Sequence, residues 1–217
     1  MDDRRPYEDR SAGGRALAEE LVRVLADHDG DHERPLVLAL PRGGVPVAVP
    51  IARLLDAELS VLVVRKLGAP GQPELAVGAI AAIEHRVVQV LNEDWVRRLG
   101  LSAAQVSTMV AAETAQLRVR TALFGATPPV SGRTVIVVDD GLATGATMRA
   151  ALTAIRGAGG GFVLAAAPVG AAGACRDLAE VADLVVCPRQ PSPFRAVGEH
   201  YRDFGQLDDA DVLALLR

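Results

Sequence analysis

Two adjacent carboxylates, Asp139 and Asp140, follow four apolar residues that end at Val138. Small and hydroxyl-bearing residues come next and lead into a predicted helix: Gly141, Thr144, Gly145 and Thr147. Backbone N–H groups in such a turn point toward one spot, and the start of a helix adds partial positive charge, so the turn can hold an anion. The carboxylates suit sugar hydroxyls or Mg²⁺. A sugar phosphate with free 2- and 3-hydroxyls satisfies both halves of the pattern.

Residues 135–147 also admit a simpler interpretation, an ordinary strand-to-helix turn with an aspartate at the helix start. The turn is not a P-loop, because no Gly-Lys-Ser/Thr follows the glycines, and it lacks the Gly-x-Gly-x-x-Gly spacing of dinucleotide-binding proteins. The complete pattern consists of four apolar residues, two acids and Thr-Gly-x-Thr at the start of a helix. This pattern resembles the phosphoribosyl-pyrophosphate (PRPP) signature of the type I phosphoribosyltransferases.

That resemblance implies a binding loop for the 5-phosphate of PRPP, with Mg²⁺ as cofactor. Asp139 and Asp140 would orient the ribose hydroxyls and would contact the metal indirectly, through those hydroxyls or through water. The phosphate loop itself would consist of Gly141, Leu142, Ala143, Thr144, Gly145, Ala146 and Thr147.

A second loop, residues 41–44, follows the first predicted strand and reads Pro-Arg-Gly-Gly. Gly43 and Gly44 allow the backbone to approach a ligand closely, and the planar guanidinium of Arg42 suits phosphate oxygens. A tight turn would need the same glycines. In the resembled family this loop holds pyrophosphate, often with an unusual peptide geometry, so we expect Arg42, Gly43 and Gly44 to bind pyrophosphate.

Two cations, Arg65 and Lys66, stand at the predicted end of the second strand, and Lys66 is the only lysine beside twenty-two arginines. Neighbouring strand residues point to opposite sides, so one of the two is expected to enter a site; a solvated strand end is the alternative. The family uses a basic residue here against pyrophosphate, followed by a flexible lid. Lys66 is the preferred cation with Arg65 its competitor, and residues 67–77 are the expected lid.

The resemblance implies transfer of the 5-phosphoribosyl group from PRPP to a nitrogen nucleophile, a nucleobase or another small nitrogenous acceptor, with release of pyrophosphate. Asp139, Asp140 and Lys66 are the expected catalytic residues. Enzymes for 6-oxopurines carry an acid before the Thr-Gly of the loop, but here the position is Ala143, so the acceptor stays open. The alternative function is a non-catalytic regulator that senses PRPP or a nucleotide.

The tail, residues 188–204, contains Phe194, Tyr201 and Phe204. These rings predict either a stacking pocket for the acceptor or simple packing of the tail onto the core. His200 is a weak candidate for a proton acceptor, and a surface histidine is the simpler interpretation. Arg118 and Arg120 on a long predicted helix can reach a phosphate or face water.

The elements that position these residues alternate between strand and helix through the middle of the chain, which predicts an open, mostly parallel α/β sheet flanked by helices. We expect one domain, 1–217, with a core at about 34–187 and a small hood formed by 1–33 and 188–217. Helices are predicted at 11–27, 47–55, 102–123, 146–155 and 208–216. Strands are predicted at 36–40, 59–64, 77–83, 87–91, 134–138, 162–167 and 184–187, with an irregular loop at 67–74.

The composition sets outer limits on the function. Half of the 217 residues are hydrophobic and only 3% are aromatic, which suits a core of aliphatic strands. The net charge of −4 argues against a nucleic-acid partner. A polar start and the absence of a long apolar run predict no signal peptide, no membrane span and a cytoplasmic protein; a homodimer is left open. Cys175 and Cys187 are expected to be buried free thiols, with a disulfide as the alternative.

Overall fold

A computed structural model describes residues 5–28 and 34–217. Parts of the expected hood, residues 1–4 and 29–33, lie outside the described residues. In chain order the elements are α1 Arg10–Ala26, β1 Leu36–Ala39, α2 Gly44–Leu54, β2 Glu58–Val61, β3 Val64–Ala69, β4 Gln72–Ile83, β5 Arg86–Leu91, α3 Glu93–Arg98, α4 Ala103–Phe124, β6 Val135–Val138, α5 Ala146–Gly157, β7 Val163–Ala166, α6 Ala172–Leu178, β8 Leu184–Val186 and α7 Asp209–Leu215.

The central sheet has five parallel strands in the order β2-β1-β6-β7-β8. Every residue of β1, β6 and β7 is buried, because helices cover both faces. Successive side chains point to opposite faces: Val37 and Ile136 pack with α1 and α2, whereas Leu38 and Val137 pack with α5 and α6. The predicted fold, an open parallel sheet flanked by helices, is confirmed.

A separate antiparallel sheet, β3-β4-β5, replaces two features of the prediction. The strand expected at 59–64 is divided, because β2 ends at Val61 and β3 begins at Val64. The irregular loop expected at 67–74 is wrong: the chain continues in β3, turns at Pro70 and Gly71, and returns in β4. The lid at 67–77 stays a prediction, and it would be a β-hairpin rather than an irregular loop.

The glycines and prolines that suggested a loop belong to the turn and to its irregular pairing. The β3–β4 register shifts on both sides of Gly68, and Gly71 has a φ of 75° at the turn. Buried side chains then stabilise the hairpin, since Leu67, Ala69 and Val77 pack in the same apolar cluster as Leu117 of α4. Burial of these residues explains why the segment is ordered in strands despite its composition.

All five predicted helices are present, with adjusted ends. Ser102 caps α4 as expected and forms a capping box with Gln105. The helix expected from Val47 already begins at Gly44 and accommodates Pro50. Two short helices, α3 and α6, were not predicted.

Cys175 and Cys187 are buried and free, as expected. Within the described residues, no helix combines the length and the apolar character needed to cross a membrane.

Candidate functional site

Two loops meet at the middle of the parallel sheet. β1 pairs with β6, and the chain proceeds outward on opposite sides, to β2 from β1 and to β7 and β8 from β6. Ligands of open α/β sheets bind at such a switch point, beyond the carboxyl ends of the strands. Asp139 and Asp140 leave β6 here, and residues 41–44 leave β1. The fold therefore places the two predicted loops side by side.

The contact between the loops is close enough to require glycine at Gly43. A Cβ atom built there would lie 2.0 Å from Oδ2 of Asp140, and one built at Gly44 would lie 2.5 Å from the carbonyl oxygen of Val138. Side chains cannot approach to these distances, so any larger residue at position 43 must displace the Asp140 carboxylate. The sequence prediction assigned Gly43 to contact with a ligand; the structure shows that it also accommodates Asp140.

The peptide bond between Pro41 and Arg42 is cis, the kind of unusual geometry that the resemblance implied for this loop. Cis bonds at residues other than proline are rare. The Arg42 side chain is half-buried. Among the described residues, no hydrogen bond or ion pair engages its guanidinium, so its donors can serve a ligand.

The loop after β6 forms the wall of an open concavity of about 140 Å³. Gly145, with a φ of 71°, turns the chain into α5 and has no side chain to cap that helix. The hydroxyl of Thr144 accepts one hydrogen bond of 3.4 Å from the N–H of Ala146. Further N–H groups of the first turn lack helical partners and suit an anion. The lining residues are Asp139, Gly141, Leu142, Ala143, Thr144, Gly145, Ala146, Thr147 and Met148.

The carboxyl group of Asp139 is crowded by a second acid. Burial and then the negative charge of Asp140 raise the pKa of Asp139 from 3.8 to about 8. A 2.8 Å hydrogen bond from the Asp140 N–H to Oδ1 of Asp139, together with the charge of Arg10, opposes this shift. Hydroxyl donors or a cation near Asp139 would favour its ionised form.

Asp140 is held by residues from both ends of the chain. Nε of Arg10 donates to Oδ2 of Asp140 at 2.8 Å, and the two side chains are only 12% and 16% exposed. The hydroxyl of Tyr201 donates to the backbone oxygen of Asp140 at 2.6 Å. The carboxylate and the carbonyl of this residue are therefore both fixed.

The Arg10 guanidinium is also held on its other side. It donates to the carbonyl of Gly205 at 2.9 Å and lies 3.8 Å from the ring centroid of Phe204. Tyr201 in turn packs beside Tyr7, with ring centroids 5.7 Å apart. The first residues of α1 and the tail thus form one connected layer against Asp140.

The structure separates the two cations of β3 from each other. Nε of Arg65 donates to Glu113 of α4 at 2.8 Å, and its NH2 group donates to Gln116 at 2.7 Å. Lys66, as the next residue in the strand, points to the opposite face. Val64 shares that face and packs in the cluster formed with α5. The prediction that these two cations end the second strand is wrong, because β2 ends at Val61 and both cations lie inside β3.

The aromatic residues of the tail are divided between packing and exposure. Tyr201 is buried, as the packing alternative expects, and burial raises its pKa. Phe194 stacks on His200 with ring centroids 5.3 Å apart. His200 is half-buried rather than on the open surface. Its Nε2 atom is buried and has no hydrogen-bond partner among the described residues.

The arginines expected on the long helix behave differently from one another. Arg120 is bound in an ion pair with Asp209 at 2.8 Å, so it stabilises the contact of α4 with α7. Arg118 is exposed and lines a cavity beside the β4–β5 turn. Neither residue lies among those that line the concavity after β6.

The sequence pattern of the family described as “Phosphoribosyl transferase domain” matches residues 8–200. The chain belongs to this family. The match extends from the segment before α1, through both loops, to His200 of the tail, one residue before Tyr201.

Similar proteins agree with this membership. A Mycobacterium tuberculosis H37Rv protein, provisionally named a phosphoribosyl transferase, is 43% identical over 213 residues, which cover 97% of this chain and 46% of that protein. The chain thus spans about half the length of this curated relative. The crystal structure of TT1426 from Thermus thermophilus is 38% identical, covers 97% of both chains and superposes with a TM-score of 0.74.

Arg10 and the hydroxyl of Tyr201 are site residues of this phosphoribosyl transferase domain that the sequence does not predict. Arg10 is 130 residues from Asp140 in the chain, and Tyr201 is 61 residues from it. No spacing rule connects residues so far apart. The sequence predicts a packing or stacking role for the ring of Tyr201, whereas its hydroxyl makes the contact. The chain's surplus of arginine further conceals the one that pairs with Asp140.

Proposed function

We propose that this chain binds PRPP and transfers its 5-phosphoribosyl group to a nitrogen nucleophile, with release of pyrophosphate. The observation that carries the proposal is the pairing of an uncapped helix start with two carboxylates at one switch point. A ligand that uses both the helix start and the carboxylates must carry an anion and several hydroxyl donors within a few ångströms of each other. PRPP offers a 5-phosphate and the ribose 2- and 3-hydroxyls at that spacing.

In this proposal, residues 141–147 hold the 5-phosphate through backbone N–H groups and the hydroxyls of Thr144 and Thr147. The concavity of about 140 Å³ is large enough for one phosphate group. Thr144 and Thr147 are exposed, so their hydroxyls can turn toward the ligand. The positive end of α5 stabilises the bound charge.

Asp139 and Asp140 are proposed to orient the ribose. Among the described residues, no cluster of three or more His, Cys, Asp or Glu forms a complete metal cage. Mg²⁺ commonly binds through one or two carboxylates together with water and substrate phosphates, and the crowded carboxyl of Asp139 fits that arrangement. When bound, Mg²⁺ would neutralise charge on the departing pyrophosphate.

Residues 41–44 are proposed to hold the pyrophosphate. The loop lies directly against Asp140, and the guanidinium of Arg42 is available for a bidentate contact with phosphate oxygens. Lys66 is the second proposed cation, because Arg65 lies against Glu113 and Gln116 of α4 and Lys66 points to the opposite face of β3. As the bond to C1 of the ribose breaks, these cations stabilise the negative charge that develops on the leaving group.

We further propose that the N-terminal segment and the tail form a hood over the acceptor. Val197 of the tail lies against Gly141, where an added Cβ would meet its Cγ1 at 2.5 Å. Ala143 offers no acid to a purine ring, so acceptor recognition must come from elsewhere. The partly exposed Phe194 and the buried Nε2 of His200 are the nearest candidates on the hood.

The first test is calorimetric titration of the chain with PRPP in the presence of Mg²⁺. Binding is expected for the unaltered protein and lost for Asp139→Asn combined with Asp140→Asn, because both ribose contacts are weakened together. A matched control removes the same number of charges from the surface of α3, by Glu93→Gln combined with Asp94→Asn. The control should bind PRPP as the unaltered protein does.

A screen of nucleobases and small amines for pyrophosphate release then tests transfer. Release that depends on one acceptor identifies the substrate. PRPP binding without release for any acceptor would favour a sensor over an enzyme. If the unaltered protein fails to bind PRPP with Mg²⁺, the proposal is wrong.

A further inference from the structure

Arg10 lies where three parts of the chain meet: the start of α1, the loop after β6 and the tail. Its Nε donates to Oδ2 of Asp140, its NH1 donates to the carbonyl of Gly205, and its guanidinium packs on Phe204. A guanidinium with one face against a ring and two edges in hydrogen bonds has little freedom to move. Whatever it contacts is fixed with it.

The carboxylate and the backbone of Asp140 are consequently both held in place by neighbouring residues. Oδ2 accepts from Arg10, the backbone oxygen accepts from Tyr201, and Gly43 leaves just enough space for the carboxylate. A carboxylate can accept about four hydrogen bonds, so Oδ1 and one lone pair of Oδ2 remain for a ligand. The side chain therefore presents a defined pair of acceptor positions rather than a rotating group.

We propose that Arg10 is a positioning residue, which fixes the carboxylate of Asp140 so that its remaining acceptor positions meet the ribose hydroxyls of PRPP. The inference rests on the proposed function, because it takes the ligand of Asp140 to be that ribose. Pre-oriented acceptors bind a sugar more tightly than mobile ones, since less conformational entropy is lost on binding.

A second ion pair makes it possible to distinguish positioning of Asp140 from simple attachment of the tail. Arg202 pairs with Glu8 at 3.1 Å and also joins the tail to the segment before α1, but the two side chains are 59% and 68% exposed. Such a pair contributes little and does not touch Asp140. It is a matched control for loss of a tail contact without loss of the positioning contact.

The experiment compares dissociation constants for PRPP with Mg²⁺ and for inorganic phosphate, measured by calorimetry. Arg10→Ala is expected to weaken PRPP binding about tenfold, the effect of one charged hydrogen bond, and to leave phosphate binding unchanged. Phosphate has no ribose hydroxyls, so its binding does not use the acceptor positions of Asp140. Arg10→Lys, which keeps the charge without the planar fork, should recover part of the PRPP affinity. Arg202→Ala should change neither constant.

A double-mutant cycle then identifies the route of the effect. If Arg10 acts through Asp140, Arg10→Ala adds little to the loss caused by Asp140→Asn. Independent, additive losses would overturn the inference, as would equal weakening of PRPP and phosphate binding. Circular dichroism checks that each variant is folded, and if Arg10→Ala is not, Arg10→Lys replaces it in the cycle. Absence of PRPP binding by the unaltered chain would instead overturn the proposed function together with this inference.

Discussion

The parallel and antiparallel sheets differ in whether their arginine side chains are bound by other residues of the protein. At the carboxyl ends of β1 and β6, polar residues face an open concavity, and Arg42 has no protein partner among the described residues. In the antiparallel sheet, Arg65 is bound to Glu113 and Gln116 of the neighbouring helix. The charge of Arg42 is therefore available to a ligand, whereas the charge of Arg65 stabilises the packing of α4.

The difference follows from how the strands end. Parallel strands all release their loops at one edge, so residues after different strands converge there. A hairpin returns the chain to its own sheet, and residues along β3 face its covering helices instead. The position of a residue relative to a strand end is therefore more informative about function than its charge alone.

Glycine substitutions give the strongest test of this contrast. Gly43→Ala places a Cβ 2.0 Å from Oδ2 of Asp140, whereas an alanine at Gly71 meets no atom within 4 Å but must keep a φ of 75°. Both changes should lower the free energy of unfolding by similar amounts, about 1–3 kcal/mol. Gly43→Ala should also weaken PRPP binding at least about a hundredfold, because it displaces a paired carboxylate.

Chemical denaturation and calorimetry on the same two variants separate these effects. Gly71→Ala is expected to bind PRPP like the unaltered protein despite its lower stability. If Gly43→Ala binds PRPP normally, the Asp140 carboxylate is not needed where the structure places it. A large loss in Gly71→Ala would mean that the hairpin turn contributes to the site after all.

The pH dependence of stability provides the next test of the parallel-sheet site. The pKa of Asp139 is raised from 3.8 to about 8 in the folded chain, so this group contributes its full stability below pH 3.8 and loses it as the pH rises through about 8. Between these values the unfolded state has released the proton and the folded state has not, which favours unfolding as pH increases. Asp139→Asn removes this penalty.

Thermal melts from pH 5 to pH 9 measure the effect. Relative to Asp139→Asn, the unaltered protein should lose about 4 kcal/mol of stability across this range, and titrating groups that do not interact with Asp139 cancel in the comparison. PRPP with Mg²⁺ should reduce the difference, because it favours the ionised carboxyl. Parallel pH profiles for the two proteins would contradict the raised pKa.

The loop after β6 could be predicted from sequence because all of its information is local. Four apolar residues predicted the strand, two acids marked its end, and Thr144 and Gly145 marked the start of the helix. Each feature lies within thirteen residues of the others. The loop at 41–44 was predicted on the same basis, although the contact of Gly43 with Asp140 was not.

The hairpin and Arg10 were missed for two different physical reasons. Gly68, Pro70 and Gly71 make the segment resemble a loop, and only burial against Leu117 of α4 makes it a hairpin. Arg10 pairs with a residue 130 positions away, and nothing in its own neighbourhood marks it. Both features depend on long-range contacts, which composition and periodicity do not encode.

The smallest expected effects concern the two cations of β3, and they decide whether the antiparallel sheet contributes to the site at all. Arg65→Ala breaks a partly exposed ion pair with Glu113, so it should cost about 0.5–1 kcal/mol of stability and leave PRPP binding unchanged. Lys66→Ala should lower the rate of pyrophosphate release about tenfold, with a smaller effect on PRPP binding, if it acts on the leaving group. Steady-state release assays on both variants measure this. Normal release by both would confine the site to the loops of the parallel sheet, and a loss with Arg65→Ala alone would exchange the roles of the two cations.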